Sequence, residues 1–199
     1  MKRISTYVIE KLKIAKNQKV EHTLFPKNKN ELIQMIKDEI DKNGNDCDLN
    51  HIDTSQITDM SYLFFRAPFT GDISEWNVSK VEDMTCMFRM SEFNGDISSW
   101  DVSSAINMSN MFSRSEFNGD ISDWDVSNVE NMEAMFFSSE FNNNISNWDV
   151  SKANDMSHMF QDSKFNQNIS NWKINKNCRI RHMFTDCDIN KNYIPKTLR

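Results

Sequence analysis

Apolar residues recur along this chain at a fixed interval of 24 positions. Three columns keep this step without interruption: Trp76, Trp100, Trp124, Trp148 and Trp172; Phe69, Phe93, Phe117, Phe141 and Phe165; Ile73, Ile97, Ile121, Ile145 and Ile169. A period of about twenty to fifty residues is the signature of supersecondary units stacked on one another. The pattern therefore predicts a repeat array whose apolar core is buried between neighbouring units.

Within one repeat the spacing of apolar residues changes from that of a strand to that of a helix. The segment I-x-x-W-x-V, as from Ile97 to Val102, places its apolar side chains inward, as a short strand does. Val81, Met84 and Phe88 follow steps of three and four, which mark one face of a helix of about ten residues. A serine before each such segment is a good N-cap. The predicted fold class is an α/β repeat solenoid of short parallel strands and short helices.

The two ends of the chain lie outside the repeat. Before it come two helical patterns, with Ile4, Val8 and Leu12 on one face of the first and Leu32, Ile36 and Ile40 on one face of the second. The second pattern stops at Asn43 and Gly44, a common end of a helix. A repeat array needs a cap over the open end of its core. We therefore expect a helical N-terminal cap at residues 1–44, the solenoid at residues 45–188 and a C-terminal tail or cap at residues 189–199.

Composition narrows the range of partners. The formal net charge is −6 and the sequence pI is about 5.2, whereas binding to a nucleic-acid backbone requires clustered Lys and Arg. We therefore expect no nucleic-acid partner and favour a protein with a basic surface. No stretch approaches the eighteen or so apolar residues that span a bilayer. The first residues carry charges where a signal peptide is apolar, so we expect no export signal.

Residue types used in catalysis and metal binding are scattered along the chain. The four histidines, His22, His51, His158 and His182, have no Cys or carboxylate partner at metal-site spacing, and the four cysteines, Cys47, Cys86, Cys178 and Cys187, lack the pairing of a zinc site. Catalysis requires a convergent set of unlike groups. We therefore expect no enzymatic activity, no cofactor, no metal and mostly free thiols. A disulfide between Cys178 and Cys187 stays open at this stage.

The candidate binding residues lie between and beside the inward Trp and Val side chains, where a strand would point them outward. They are Asp53, Glu75, Asn77, Asp101, Asp123, Asp125 and Asp149. One interpretation is that each Asp accepts a hydrogen bond from a nearby backbone N–H or from the following Ser, as in many turns. The other is an acidic strip for a basic partner surface. A second acidic or amide column, which includes Asp72, Asp96 and Asp120, gives only a weak indication of calcium binding.

The residues F-N-G-D-I-S-S-W-D-V-S from Phe93 to Ser103 and N-M-S-N-M-F from Asn107 to Phe112 resemble the repeat of the BspA-type leucine-rich repeat surface proteins. That family occurs in gut and oral bacteria, in mycoplasma lipoproteins and in some large phages and viruses. The resemblance covers about residues 45–188. It implies a leucine-rich-repeat-like fold and a binding or adhesive role without enzymatic activity.

The resemblance and the charge pattern together favour a non-catalytic protein-protein interaction module. Members of that family are usually exported, whereas this chain shows no signal peptide. We therefore expect a cytoplasmic protein, or a phage-encoded one that acts on a host factor in the host cytoplasm. The alternatives are an adhesin at a bacterial cell surface and a structural component of a virion or other assembly. The partner, the binding face and the oligomeric state stay open.

Overall fold

The computed structural model describes residues 20–198. Within that range the helices are α1 (Lys29–Asn43) and two short 3-10 helices, Lys191–Tyr193 and Lys196–Leu198. None of these described helices is long and apolar enough to cross a membrane. The remaining regular pairing consists of isolated parallel bridges, and most of them form one column: Asp59 to Asp83, Asp83 to Asn107, Asn107 to Asn131, Asn131 to Asp155 and Asp155 to Arg179.

The predicted α/β repeat solenoid is wrong, because the repeats contain turns where short helices and parallel strands were expected. In the segment predicted as helical, Cys86 and Phe88 donate their backbone N–H to Ser109 and Met111 of the following repeat, each at 2.9 Å. The intervening Met87 N–H closes a turn onto the Met84 carbonyl at 3.2 Å. Alternate N–H groups thus leave the segment, whereas a helix keeps them inside.

Positive backbone φ angles explain why this segment has the spacing of apolar residues that is typical of a helix. Cys86 has φ 55° and Met90 has φ 59°, and both positions recur in later repeats at Asn110 and Arg114. A left-handed residue closes each four-residue turn and returns the chain to the same face. Two such turns in succession bring residues spaced by three and four to one side, which is the spacing that also marks a helix.

The predicted strand also forms a turn. The Trp100 N–H bonds the Ile97 carbonyl at 3.2 Å, and the Ser98 N–H bonds Oδ1 of Asp96 at 3.0 Å. These bonds run within the segment, so it builds no ladder with its neighbours. Its link to the preceding repeat is a side-chain bond, from the Trp100 indole N–H to the Ile73 carbonyl at 3.1 Å.

Successive 24-residue repeats, hereafter called coils, stack directly on one another. Phe88 and Phe112 lie ring over ring at 5.7 Å between centroids, and Phe93 and Phe117 do the same at 6.4 Å. Within one coil the two columns meet, since Phe112 and Phe117 are 4.2 Å apart. These rings are fully buried and form the centre of a continuous core with the Trp, Ile, Val and Met columns.

Helix α1 lies against the first coil. The Asn28 side chain caps it by accepting the Glu31 N–H at 3.1 Å, and Gly44 ends it with φ 92°. Leu32 and Ile36 are buried in the core. The second predicted N-terminal helix is therefore confirmed. The first, with Ile4, Val8 and Leu12, lies outside the described residues, and the predicted boundaries of the three parts stay predictions.

Candidate protein-binding surface

The seven predicted binding residues lie along the tryptophan-bearing part of the coils and are named here the tryptophan-side strip: Asp53, Glu75, Asn77, Asp101, Asp123, Asp125 and Asp149. All are exposed except Asp53, which is partly exposed. Trp100 and Val102 on either side of Asp101 are 4% and 1% exposed. The buried neighbours fix the backbone, so the side chain between them points outward.

Each Asp or Asn beside the Val of the strip accepts a hydrogen bond from the residue two positions later. Oδ1 of Asp101 accepts the Ser103 N–H at 3.1 Å and the Ser103 hydroxyl at 2.6 Å. The same backbone bond occurs at Asp53, Asn77, Asp125 and Asp149, each at 3.0 Å. This confirms the interpretation of these residues as turn-closing acceptors. The bonds hold each side chain in one orientation and engage Oδ1, which leaves Oδ2 of each carboxylate for a partner.

The same bonds keep the carboxylates charged. The Ser127 hydroxyl and N–H lower the pKa of Asp125 below its usual value, although burial and the nearby Asp149 act in the opposite direction. The pKa of Asp149 is lowered by the Ser151 hydroxyl and N–H, with further help from lysines. Both groups are therefore fully ionised at neutral pH.

Lysines lie near both ends of the strip, and the charge of one of them, Lys152, also acts on Asp125 in its middle. At Asp149 the charges of Lys173 and Lys152 lower the pKa after the bonds from Ser151. At Asp53 the bonds from Ser55 lower the pKa first, and the charges of His22 and Lys80 follow. Lys152 also bonds Oδ1 of Asn128 at 2.6 Å. The central part, with Asp101, Asp123 and Asp125, is the most acidic section of the strip.

The outer residues of the strip, Glu75 and Asp123, are held less tightly. The Glu75 backbone N–H bonds Oδ1 of Asn50 at 2.8 Å, which fixes its main chain and leaves the carboxylate exposed. Asp123 is exposed and lies next to buried Trp124. The structure thus brings all seven residues to one side of the stack, with Asp and Asn of one column rigid and the outer acids free to move.

The second acidic column closes turns in the same way. Asp72 accepts the Ser74 N–H at 2.9 Å, Asp120 accepts the Ser122 N–H at 3.0 Å, and Asn144 accepts the Ser146 N–H at 3.0 Å. Asn therefore replaces Asp here without loss of the bond. In the described part of the chain, no group of three or more His, Cys, Asp or Glu could hold a metal ion.

A second surface lies on the turn segments beside the phenylalanine column. The sequence suggests variable residues of the predicted helices as part of an extended binding surface but does not single out which of them meet there. This second surface is named the phenylalanine-side patch and comprises Tyr62, Phe65, Arg66, Arg89, Arg114 and Phe137. Tyr62 and Phe65 are 54% and 36% exposed. The Arg66 guanidinium lies 5.1 Å from the Phe65 ring centroid, and that of Arg114 lies 5.3 Å from the Phe137 centroid.

Residue types within the patch are those that dominate binding energy at protein interfaces, since Tyr and Arg are enriched among interface hot spots. Two buried polar atoms there, Nε of Arg89 and Oγ of Ser113, have no hydrogen-bond partner within the described chain. The available signal was the variable residues around each Met-Phe pair. A helix assignment distributes them around a cylinder, whereas the turns gather them on one surface.

The histidines and cysteines assemble no further site. His158 and His182 lie in adjacent coils with 5.2 Å between ring centroids. The four cysteines are free. The Cys187 thiol contacts the Ser163 hydroxyl at 3.6 Å, while the Cys178 thiol bonds the Arg179 carbonyl at 3.5 Å. Burial raises the pKa of both thiols above the usual value, so neither is an activated nucleophile.

Comparison with known proteins gives one finding. A family model described as Mycoplasma protein of unknown function, DUF285, matches residues 30–138 and again residues 106–196. Together the two matches extend from α1 through the repeats to the C-terminal 3-10 helices. No curated protein and no solved structure matches the chain.

Proposed function

Since the chain belongs to the family described as Mycoplasma protein of unknown function, DUF285, we propose its function from its own surface. It is a non-catalytic protein-protein interaction module, and its tryptophan-side strip docks a partner that has a basic surface. The observation that carries this proposal is the row of exposed carboxylates at Asp101, Asp125 and Asp149, each fixed by bonds from the Ser two residues later.

Rigid charges favour binding for two physical reasons. A side chain already held in one orientation loses little conformational entropy when a partner contacts it. Charges of one sign on successive coils also attract a basic surface over several ångströms, which raises the association rate at low salt. Both effects depend on the strip as a row, so we expect several carboxylates to act together.

Affinity capture of the tagged chain from lysate, with bound proteins identified by mass spectrometry, tests this proposal. The test variant carries Asp101→Asn, Asp125→Asn and Asp149→Asn. Asn keeps the turn bond, as Asn144 shows with a 3.0 Å bond from Ser146. The matched control carries Asp96→Asn and Asp120→Asn in the neighbouring column. We expect a stoichiometric partner that is retained by the control and lost by the test variant. Equal capture by both variants would contradict the proposal.

We place this binding inside a cell, either on a cytoplasmic partner or on a host factor if the chain is phage-encoded. The alternative is an adhesin on a bacterial surface. Export separates the two placements. Antibody labelling of intact cells that detects the chain on the outside would favour the adhesin. Labelling only after permeabilisation supports the intracellular placement.

A further inference from the structure

We propose that the partner of the tryptophan-side strip is a second copy of this chain, which docks through its phenylalanine-side patch. This inference rests on the proposed function, because it assigns an occupant to the same strip. The copies would associate side by side, with the arginines of one opposite the aspartates of the next.

The strip and the patch lie on opposite sides of one molecule. Phe88 and Trp100 contact each other inside the core, with 6.2 Å between their ring centroids. Arg89 follows Phe88 and Asp101 follows Trp100 along the chain. Since the two rings point toward each other, the side chains next to them point away in opposite directions. Each copy thus presents one surface on each side of the stack.

The strip and the patch have opposite charge. Arg66, Arg89 and Arg114 supply three cations on the patch. Of the acids on this side, Asp59 is paired with Lys29 at 2.9 Å, and Asp83, which interacts with Tyr62 by its charge, accepts the Thr85 N–H at 2.8 Å. Glu92 and Glu116 follow at the next corner of the coils and are exposed, so the cationic area has an acidic border. The centre of the strip carries Asp101, Asp123 and Asp125, and of the lysines near the strip Lys152 acts on Asp125 there.

The charges advance by one coil at a time on both surfaces, although Arg89 lies one position earlier in its coil than Arg66 and Arg114. The patch has one arginine on each of three successive coils, and the strip has one aspartate on each of three successive coils at Asp101, Asp125 and Asp149. Both rows belong to one stack, so both advance by one coil per charge. Since Phe64, Phe88 and Phe112 contact Trp76, Trp100 and Trp124, each arginine lies level with the strip residue that follows that Trp. A neighbouring copy with a parallel axis, shifted by one coil, therefore brings Arg66, Arg89 and Arg114 opposite the three aspartates in order.

The patch also offers apolar contact area. Tyr62 and Phe65 meet edge to face at 5.8 Å between ring centroids, on the exposed end of the patch. Arg66 covers one face of Phe65. Aromatic rings and arginines that are ordered before binding provide contact area at low entropic cost. A contact between two different surfaces of identical copies does not close on itself. It therefore builds an open row of molecules when repeated.

Sedimentation velocity over a range of protein concentrations, at low and at high salt, tests the inference on the full chain. We expect concentration-dependent association that weakens at high salt. The variant with Arg66→Gln, Arg89→Gln and Arg114→Gln, and the Asp→Asn variant of the strip, should each weaken association about tenfold or more. The Asp96→Asn and Asp120→Asn control should associate like the wild type. A wild-type chain that stays monomeric throughout overturns the inference.

A charge-exchange experiment distinguishes loss of the contact between copies from loss of the fold in a variant. One chain carries Arg66→Glu, Arg89→Glu and Arg114→Glu, and the other carries Asp101→Lys, Asp125→Lys and Asp149→Lys, a residue already present in this column at Lys173. Neither chain should associate alone, because each presents like charges on both surfaces. Their mixture should associate, because both mixed contacts pair opposite charges. A mixture that stays monomeric contradicts the inference.

The outcomes separate this inference from the proposed function. If the wild type is monomeric but the strip variant loses a different captured protein, the proposed function stands and the self-docking inference fails. If the chain associates and both the arginine and the aspartate variants associate equally well, the strip is not the contact between copies and the inference fails, while affinity capture alone then decides the proposed function. Association that requires the arginines but not the aspartates would assign the patch to another acidic surface and would also overturn the inference.

Discussion

The tryptophan and phenylalanine sides of each coil are linked to the neighbouring coils by different groups. On the tryptophan side a side chain makes the link, since the Trp100 indole N–H bonds the Ile73 carbonyl of the preceding coil. Side-chain turn bonds occur on both sides, as at Asp101 with the Ser103 N–H and at Asp83 with the Thr85 N–H. On the phenylalanine side, the backbone itself links the coils, as with Phe88 N–H to the Met111 carbonyl at 2.9 Å.

This difference determines where residues can vary. On the tryptophan side the outward residue is itself the Asp or Asn that the turn bond requires, so this column repeats nearly the same residue up to Asp149. A ladder made by the backbone makes no such demand, so the outward positions beside the phenylalanines range from Tyr62 to His158 and from Phe65 to Arg89. The outward residues are therefore nearly the same from coil to coil on the tryptophan side, whereas they differ from coil to coil on the phenylalanine side.

The largest expected effect comes from removing a ring of the shared core. Phe112 is fully buried and stacks on neighbours in its own coil and on Phe88 and Phe136. We expect Phe112→Ala to lower the free energy of unfolding by about 3 to 5 kcal/mol, measured by urea denaturation. A loss below about 1 kcal/mol would show that the columns do not carry the stability of the stack.

A smaller effect is expected on the tryptophan side from losing one turn bond. Asp101→Ala removes the acceptor for the Ser103 N–H and hydroxyl, at a cost of about 0.5 to 1.5 kcal/mol of unfolding free energy. Asp101→Asn keeps an acceptor oxygen in the same place and should stay close to the wild type. If both substitutions cost the same, the charge rather than the turn bond stabilises this side.

Acid should weaken the tryptophan side through the same bonds. The pKa values of Asp125 and Asp149 are lowered in the folded chain, so their contribution to stability is fully present above the unfolded value of about 4. It is lost as pH falls through the folded values. We expect the urea midpoint of the Asp125→Asn and Asp149→Asn variant to fall less steeply with acid than that of the wild type. Parallel pH curves would contradict this assignment.

The smallest effect concerns backbone strain on the phenylalanine side. Ser138 has φ 52°, in the left-handed region where side chains other than Gly are disfavoured. Ser138→Gly removes this cost but raises the conformational entropy of the unfolded chain. We therefore expect a net gain of about 0.5 kcal/mol in the free energy of unfolding. Ser127, which lies outside the positive-φ positions, serves as the control, and Ser127→Gly should destabilise. Thermal unfolding of the two variants in parallel shows whether their changes have opposite signs.

Much of the stack could be predicted from spacing alone. The tryptophan column gives the 24-residue step, and the face formed by Leu32 and Ile36 identifies α1 correctly. The Asp-x-Ser pattern likewise indicates the turn bonds of the strip, because Asx side chains commonly bond the backbone two residues on. These features depend on local chemistry or on strict repetition, which sequence displays directly.

The phenylalanine side could not be predicted in the same way. Glycine is the usual sign of a positive φ angle, but these positions carry residues such as Cys86, Asn110 and Ala134. Without that sign, the three-and-four spacing favours a helix. The error hides the patch as well, since Arg66, Arg89 and Arg114 share a surface only when the chain turns at these residues.

The most direct test of the account is the affinity of the captured partner for the wild-type chain and for the Asp101→Asn, Asp125→Asn and Asp149→Asn variant, measured by calorimetry over a salt series. We expect wild-type binding to weaken steeply with salt. The variant should bind more weakly, and its affinity should depend less on salt. Equal affinity and equal salt dependence of the two chains would contradict the claim that the tryptophan-side strip is the binding surface.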